Sequence, residues 1–292
     1  MKPKIVVTGT RGIPDIMGGV ETHAEQLYPR IAKLGFDITV VRRTHYAATH
    51  IDSWNGVSLV DINAPRRKAF EAIVHTFKAI CYAKKTKADI IHIHTIGPAL
   101  LIPFAKMLGM KVVFTHHGPD YDRDKWGTVA KMVLKIRERL GCYFADHVIV
   151  ISDVIRRLIK QKYDRTSNIH LIYNGVPEAT PTNDLSYLDE LGLTPGSFIL
   201  GMCRFVPEKN LHHLISAFSE LKQTDIKLVI AGDADFHDNY YKQLVKQAQE
   251  AGVILTGFVK GHKLNSLLSH CRTYCLPSSH EGLPIALLEA MS

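Results

Sequence analysis

Short apolar runs alternate with longer segments of helical period along this chain, and that alternation restricts its fold more than any other feature. Runs rich in Val and Ile fall at Ile5–Thr8, Ile38–Val41, Val57–Val60, Ile90–His94, Val112–His116 and Val148–Ile151. Between most of them, apolar residues recur at helical spacing over Glu21–Leu34, Arg67–Lys85, Ala99–Leu108, Trp126–Phe144 and Asp153–Lys162. A strand that is apolar throughout is covered on both faces, and strands separated by helices pair in parallel. A second series follows, with strands at Phe198–Cys203, Lys227–Ala231, Val253–Thr256 and Thr273–Leu276. Its helices are expected at Asn210–Gln223, Asp238–Glu250 and Lys263–His270. Tyr173-Asn174-Gly175-Val176-Pro177 and Thr180-Pro181-Thr182-Asn183 separate the two series and read as a linker. The expected fold is therefore α/β, with two Rossmann-like domains over residues 1–176 and 177–292. The second series has four strands against six and stops about two turns into a helix without a cap, which predicts a shortened second domain.

Composition narrows the class. Apolar residues make up 46% of the chain, ordinary for a soluble protein. No apolar run reaches the roughly 18–20 residues of a membrane span. The first strand is too short, and too soon followed by glycine, to serve as a signal peptide. A cytoplasmic location is expected. The five cysteines are scattered; Cys271 and Cys275 lie four apart with no second pair to complete a zinc site, so reduced, buried thiols are expected. The net charge is +8, with basic clusters at Arg42-Arg43, Arg66-Arg67-Lys68, Lys84-Lys85-Lys87 and Lys131 through Arg139. No nucleic-acid recognition motif accompanies the charge, so no nucleic-acid partner is expected. An anionic membrane surface or a phosphate-bearing acceptor suits it better, with an ordinary solvated basic face as the alternative.

Four constellations carry chemistry. After the first strand comes Thr8-Gly9-Thr10-Arg11-Gly12-Ile13-Pro14, then Met17-Gly18-Gly19-Val20-Glu21-Thr22. Glycines at a strand-to-helix turn let the backbone approach an anion and leave helix N–H groups to hold it. The spacing is not the dinucleotide fingerprint. It partly resembles a reductase turn, for which Arg42-Arg43 would supply a 2′-phosphate site. The second constellation, Thr115-His116-His117-Gly118-Pro119-Asp120, ends the fifth strand, where ligands of parallel sheets gather. Neighbouring strand residues face opposite ways, so one histidine of His116 and His117 should meet a ligand. His92 and His94 share a face one strand earlier, with no third metal ligand evident.

The third is Gly201-Met202-Cys203-Arg204-Phe205-Val206-Pro207-Glu208-Lys209-Asn210, where Arg204 and Lys209 lie five apart across a turn. A guanidinium fork with an ammonium point charge suits a diphosphate and can neutralise it without a metal ion. The fourth is the pair Glu281 and Glu289, eight apart across a helix start marked by Pro284. A carboxylate accepts from two hydroxyls at once, as a sugar or a ribose diol offers them. Asp233-Ala234-Asp235 and Asp122-Arg123-Asp124 match a short acidic metal motif, but the surrounding architecture is wrong for it, and no metal or other cofactor is expected.

Taken in order, these motifs resemble the retaining glycosyltransferases of family 4. Gly18-Gly19-Val20-Glu21, Thr115 to Asp120, Asn174-Gly175-Val176, Arg204 through Asn210 and Glu281 to Glu289 carry the likeness. Gly9-Thr10-Arg11-Gly12-Ile13-Pro14 further resembles a bacterial subgroup with rhamnosyltransferase-like enzymes of surface polysaccharide assembly. The resemblance implies a GT-B fold, two Rossmann-like domains with parallel sheets facing across a cleft. It implies an acceptor domain first and a nucleotide-sugar donor domain second. Arg204 and Lys209 would take the diphosphate, Glu289 the ribose, Glu281 the sugar hydroxyls, and Gly18 or Gly19 would close on the phosphates. His117 would touch the sugar near its reacting carbon, and the acceptor would be a glycan or a lipid-diphosphate-linked sugar, with the enzyme peripheral at the inner membrane. The alternatives are an inactive or partial chain acting as a binding module, and a nucleotide-sugar epimerase of the same fold.

Overall fold

A computed structural model describes residues 2–66, 70–119, 121, 127–221 and 225–292. It divides into two compact units, Met1–Gly175 and Val176–Ser292. The strands in chain order are β1 (Lys4–Thr8), β2 (Asp37–Arg43), β3 (Ser53–Trp54), β4 (Val57–Ile62), β5 (Ile90–His94), β6 (Lys111–His116), β7 (His147–Val150), β8 (Ile169–Leu171), β9 (Phe198–Met202), β10 (Lys227–Ala231), β11 (Ile254–Gly257) and β12 (Thr273–Tyr274). The helices are α1 (Gly19–Lys33), α2 (Glu71–Lys85), α3 (Ile102–Met107), α4 (Thr128–Phe144), α5 (Asp153–Tyr163), α6 (Ser186–Glu190), α7 (Leu211–Glu220), α8 (Asn239–Glu250), α9 (Gly261–His270) and α10 (Ile285–Met291).

Among the described residues, the first unit holds a sheet ordered β3-β4-β2-β1-β5-β6-β7-β8, parallel apart from the β3–β4 hairpin. Val6, Val7, Ile91, Ile93, Val112 and Phe114 are wholly buried in its central strands, as near-continuous apolar runs require. Strand order reverses at β1, which pairs β2 on one side and β5 on the other. The second sheet runs β11-β10-β9-β12, all parallel, and reverses at β9. Ligands of open parallel sheets bind beyond the carboxyl ends of strands at such reversals. The first two constellations leave the ends of β1, β5 and β6; the other two leave the ends of β9 and β12.

A glycine follows a central strand in each unit for the same steric reason. A Cβ on Gly9, at φ 96°, would lie 2.2 Å from the carbonyl oxygen of His94. One on Gly232, at φ 135°, would lie 1.9 Å from that of Cys203. Backbone stands in both places, so no side chain fits without moving a strand end. Helix starts follow local chemistry as well. Ser152 caps α5 by accepting from Ile155 N, and Asp238 caps α8 by accepting from Tyr241 N at 3.1 Å.

Several expectations need correction. The sequence left out β3, which closes through Asn55 and Gly56, both at positive φ, in a two-residue hairpin. It left out β8 and α6, which are three and five residues long. The helix expected at Ala99–Leu108 is a 3-10 turn, Pro98–Leu101, followed by α3, because Pro98 and Pro103 both favour helix starts. Arg67, Lys68, Asp120, Trp126 and Asp122-Arg123-Asp124 lie outside the described residues. Cys81 is exposed, not buried, and only Cys142 is fully buried.

Arg42 and Arg43 are not a phosphate site. Arg42 is 2% exposed and grips Asp61 through Nε and Nη2 at 2.6 and 2.9 Å, while Arg43 pairs with Glu71 at 3.0 Å. Both guanidiniums are spent on carboxylates inside the first unit.

Candidate functional site

In the second unit, two loops are stitched together at the sheet reversal. Ser279 donates from N and Oγ to the carbonyl of Glu208 at 3.1 and 3.2 Å. Asn210 donates from Nδ2 to the carbonyl of Pro277 at 3.1 Å. Asn210 itself sits at φ 52°, a left-handed conformation that asparagine tolerates, and from there α7 begins. These ties bring Lys209, in the 3-10 turn Pro207–Lys209, against Glu281, and their side chains form a direct ion pair.

Arg204 stands just beyond β9 and pairs with Asp235 at 3.3 Å. Two groups lie near different members of this set. Burial pushes the Cys203 thiol up to about 12, with Lys209, Glu281 and Arg204 all close enough to act on it. Burial likewise raises the Tyr274 hydroxyl, with Glu281 and Glu289 adding to the rise. Glu289 lies within α10 and is itself raised, chiefly by burial, while Lys260 works in the opposite direction. It borders a hollow of about 370 Å³ shared with Pro177, Thr180, Asn265 and Leu268.

Asp233 and Asp235 do not act together. Asp235 faces Arg204, whereas Asp233 accepts from the N–H of Ala234 at 2.7 Å. The counter-ion role of Asp235 was missed because a strand-to-loop pairing across thirty-one residues leaves no spacing signal.

In the first unit, the loop from Gly9 to Gly18 is held from α1. Glu21 accepts from Arg11 N at 3.0 Å, and Glu25 accepts from Asp15 N at 3.1 Å. Gly18 takes φ 148°, with the Glu21 carboxylate lying where its Cβ would be, whereas a Cβ on Gly19 would meet nothing within 4 Å.

His116 and His117 do point opposite ways, as strand geometry predicts. His116 Nε2 bonds Glu138 Oε1 on α4 at 2.7 Å, and both side chains are wholly buried. His117 Nε2 meets His94 Nδ1 at 2.9 Å. From His94 the hydrogen bonds continue to the Tyr28 hydroxyl, on to His92 Nδ1 at 2.9 Å, and from His92 Nε2 to Thr115 Oγ1 at 2.7 Å. Burial, seconded by the neighbouring imidazoles, holds His117 and His94 well below the usual histidine range and His92 at about 3. His117 is thus a neutral hydrogen-bonding group at neutral pH.

Sequence reading missed Tyr28, Glu138 and His23. Tyr28 and His23 share a signal in their placement: α1 starts at the carboxyl edge of β1, so it reaches the ends of neighbouring strands. The sequence left the histidines of β5 without a third metal ligand. In the structure His23 and His117 join His94.

Residues 17–180 match Glycosyltransferase Family 4, and residues 191–292 match Glycosyl transferases group 1. The chain belongs to glycosyltransferase family 4. It is 30% identical over 211 residues to an uncharacterized glycosyltransferase of Bacillus subtilis, YqgM, covering 70% of this chain and 56% of that protein. It is 26% identical to the UDP-Gal:alpha-D-GlcNAc-diphosphoundecaprenol alpha-1,3-galactosyltransferase of Escherichia coli, covering 99% of this chain and 77% of that one. The chain therefore spans little more than half the length of the first relative. The fold is similar to that of Anabaena Alr3699/HepE, solved in complex with UDP-glucose, with a TM-score of 0.77, 20% identity, and coverage of 99% and 78%. The architecture is α/β and GT-B-like. An epimerase of the same fold finds no support among these relatives.

Proposed function

We propose that this chain carries the donor and acceptor machinery of a retaining glycosyltransferase. It moves a hexosyl or deoxyhexosyl group from a nucleoside-diphosphate sugar to a glycan or lipid-diphosphate-linked acceptor in surface polysaccharide synthesis. The observation that carries the reading is the ion pair between Lys209 and Glu281, brought together from the turns after β9 and β12. The E. coli relative is named for a UDP-Gal donor and an undecaprenol-diphosphate-linked acceptor, and HepE was solved with UDP-glucose, which supports the substrate class.

In this reading the donor diphosphate takes Lys209 and Arg204. Glu281, released from Lys209, turns to the sugar hydroxyls, and Glu289 takes the ribose diol. Gly18 and Gly19 offer backbone N–H groups to the phosphates. His117 donates or accepts a neutral hydrogen bond near the reacting carbon. The bond from that carbon to the diphosphate oxygen breaks, and the acceptor oxygen bonds from the same face. Its proton passes to the departing diphosphate. Catalysis rests on positioning and on neutralising the leaving charge, with no covalent intermediate.

A membrane-facing surface suits a lipid-linked acceptor. Val129, Met132, Val133, Ile136 and Tyr143 are exposed along α4, directly opposite its buried stripe of Leu134, Glu138, Gly141 and Cys142. Lys135 and Arg139 flank the exposed stripe. An apolar helix face edged by cations lies against an anionic bilayer without crossing it. No helix among the described residues is long and apolar enough to cross a membrane.

The reading is tested by titrating uridine and other nucleoside diphosphates into the wild type and Lys209→Ala. A charge-assisted contact is worth about 1.5–3 kcal/mol, so the variant should bind more than ten-fold more weakly. Equal affinities would remove the diphosphate site from this turn.

A further inference from the structure

His23, His94 and His117 come from α1, from the end of β5 and from the position after β6. Each presents a ring nitrogen, and the three nitrogens lie within 4.8 Å of one another. Borderline transition-metal dications require imidazole lone pairs that are not already protonated. Burial holds His23 at about 4 and keeps His94 and His117 well below the ordinary histidine value, so all three rings are neutral at neutral pH.

The wiring behind the rings fits as well. Tyr28 engages His94 Nε2, which leaves Nδ1 as the inward nitrogen, and that atom meets His117 Nε2 at 2.9 Å. Metal–nitrogen bonds of about 2.0–2.1 Å at tetrahedral angles set two nitrogens about 3.3 Å apart. The pair would therefore open by less than half an ångström. His23 is held more loosely: it touches His94 and His117 edge-on, with ring centroids at 5.9 and 5.3 Å, and has no hydrogen bond among the described residues. It can swing inward at little cost. Tyr28, backed in turn by His92, supplies the outer hydrogen bond that fixes the tautomer of a metal-binding histidine.

We propose that His23, His94 and His117 form a three-imidazole site for a zinc-class dication, with the fourth position open to water. The consequence for activity rests on the function proposed above: an ion held by His117 withdraws that nitrogen from the sugar, so occupancy inhibits transfer. The ion takes no part in the transfer itself.

The test is direct binding of zinc to the chelator-stripped full chain by calorimetry, alongside cobalt(II) absorption. The wild type should take one tight equivalent, and cobalt should give the intense visible bands of four-coordinate geometry. His23→Ala should lose about a hundred-fold or more in affinity, since it removes one ligand of three. His147→Ala, which breaks the exposed 3.1 Å pair of His147 with His170, should bind as the wild type does. Stoichiometric binding retained in His23→Ala, or lost in His147→Ala, would overturn the site, as would weak octahedral cobalt bands in the wild type. Because binding is read without any sugar donor, a transferase that fails to turn over leaves the zinc result standing, and absent zinc binding leaves the transferase standing.

Discussion

Lys209 and Glu281 form a direct ion pair. In the function proposed above, a donor diphosphate would displace the carboxylate from the ammonium, so the cation would be exchanged between partners and never left bare. Glu289 poses the opposite problem, because burial raises it above its ordinary value of 4.5. The folded protein then holds that proton more tightly than the unfolded chain does. The stabilising difference is complete below the unfolded value and is lost as pH rises through the folded one. Glu289→Gln, which carries no charge to bury, should therefore raise the thermal midpoint at neutral pH. It should also remove this one group's contribution to the pH dependence of stability on going upward from pH 4.5. Thermal melts of both proteins across that range check it, and parallel curves would refute it.

At the scale of elements, Glu138 on α4 ties its helix to three neighbours. It accepts from His116 at the end of β6, from Tyr121 at 3.2 Å and from Tyr163 on α5. Burial works to raise this carboxyl, but the bonds from His116, Tyr163 and Tyr121 outweigh it and hold the group below the usual range. Glu138→Ala would strand buried partners and should cost about 3–5 kcal/mol in urea unfolding. In the wild type that contribution is present above the ordinary glutamate value and fades as pH falls through the depressed one. Neither the bond set nor its sign was readable from sequence, since His116 and Glu138 lie twenty-two residues apart on elements whose facing surfaces only the fold decides.

What the sequence did disclose was periodic. The long helices and buried strands stood out because their apolar spacing persists for several repeats. By contrast β3 offers two residues and β8 three, too few for any period, and the Asn55-Gly56 hairpin turn was passed over in the sequence. Residue type and order drew attention to the turns bearing Arg204, Lys209 and Glu281 and to the helix bearing Glu289. Their partners drew none: Asp235 reads as half of an acidic triplet, and Arg42 reads as a free cation until Asp61 is placed beside it.

For the whole molecule, the net charge of +8 and the exposed face of α4 both bear on the membrane contact proposed above. Each cation near an anionic bilayer contributes roughly 1 kcal/mol, and the effect is screened by salt. Lys135→Glu combined with Arg139→Glu should lower partitioning onto vesicles with anionic lipid by more than about ten-fold. Binding to neutral vesicles should change little. Flotation at low and high salt measures both, and indifference to lipid charge would detach this face from any membrane role.

Thr115, His92, Tyr28, His94 and His117 form a row in which every member can both give and take a proton. Such a row has two complete directions, each satisfying all five groups without creating an ion. In one, His117 turns a bare lone pair outward; in the other, it turns an N–H outward. Reversal requires each of the three rings to change tautomer as the phenolic hydrogen of Tyr28 turns, so the face shown by the last ring is set by the whole row and not by any one member.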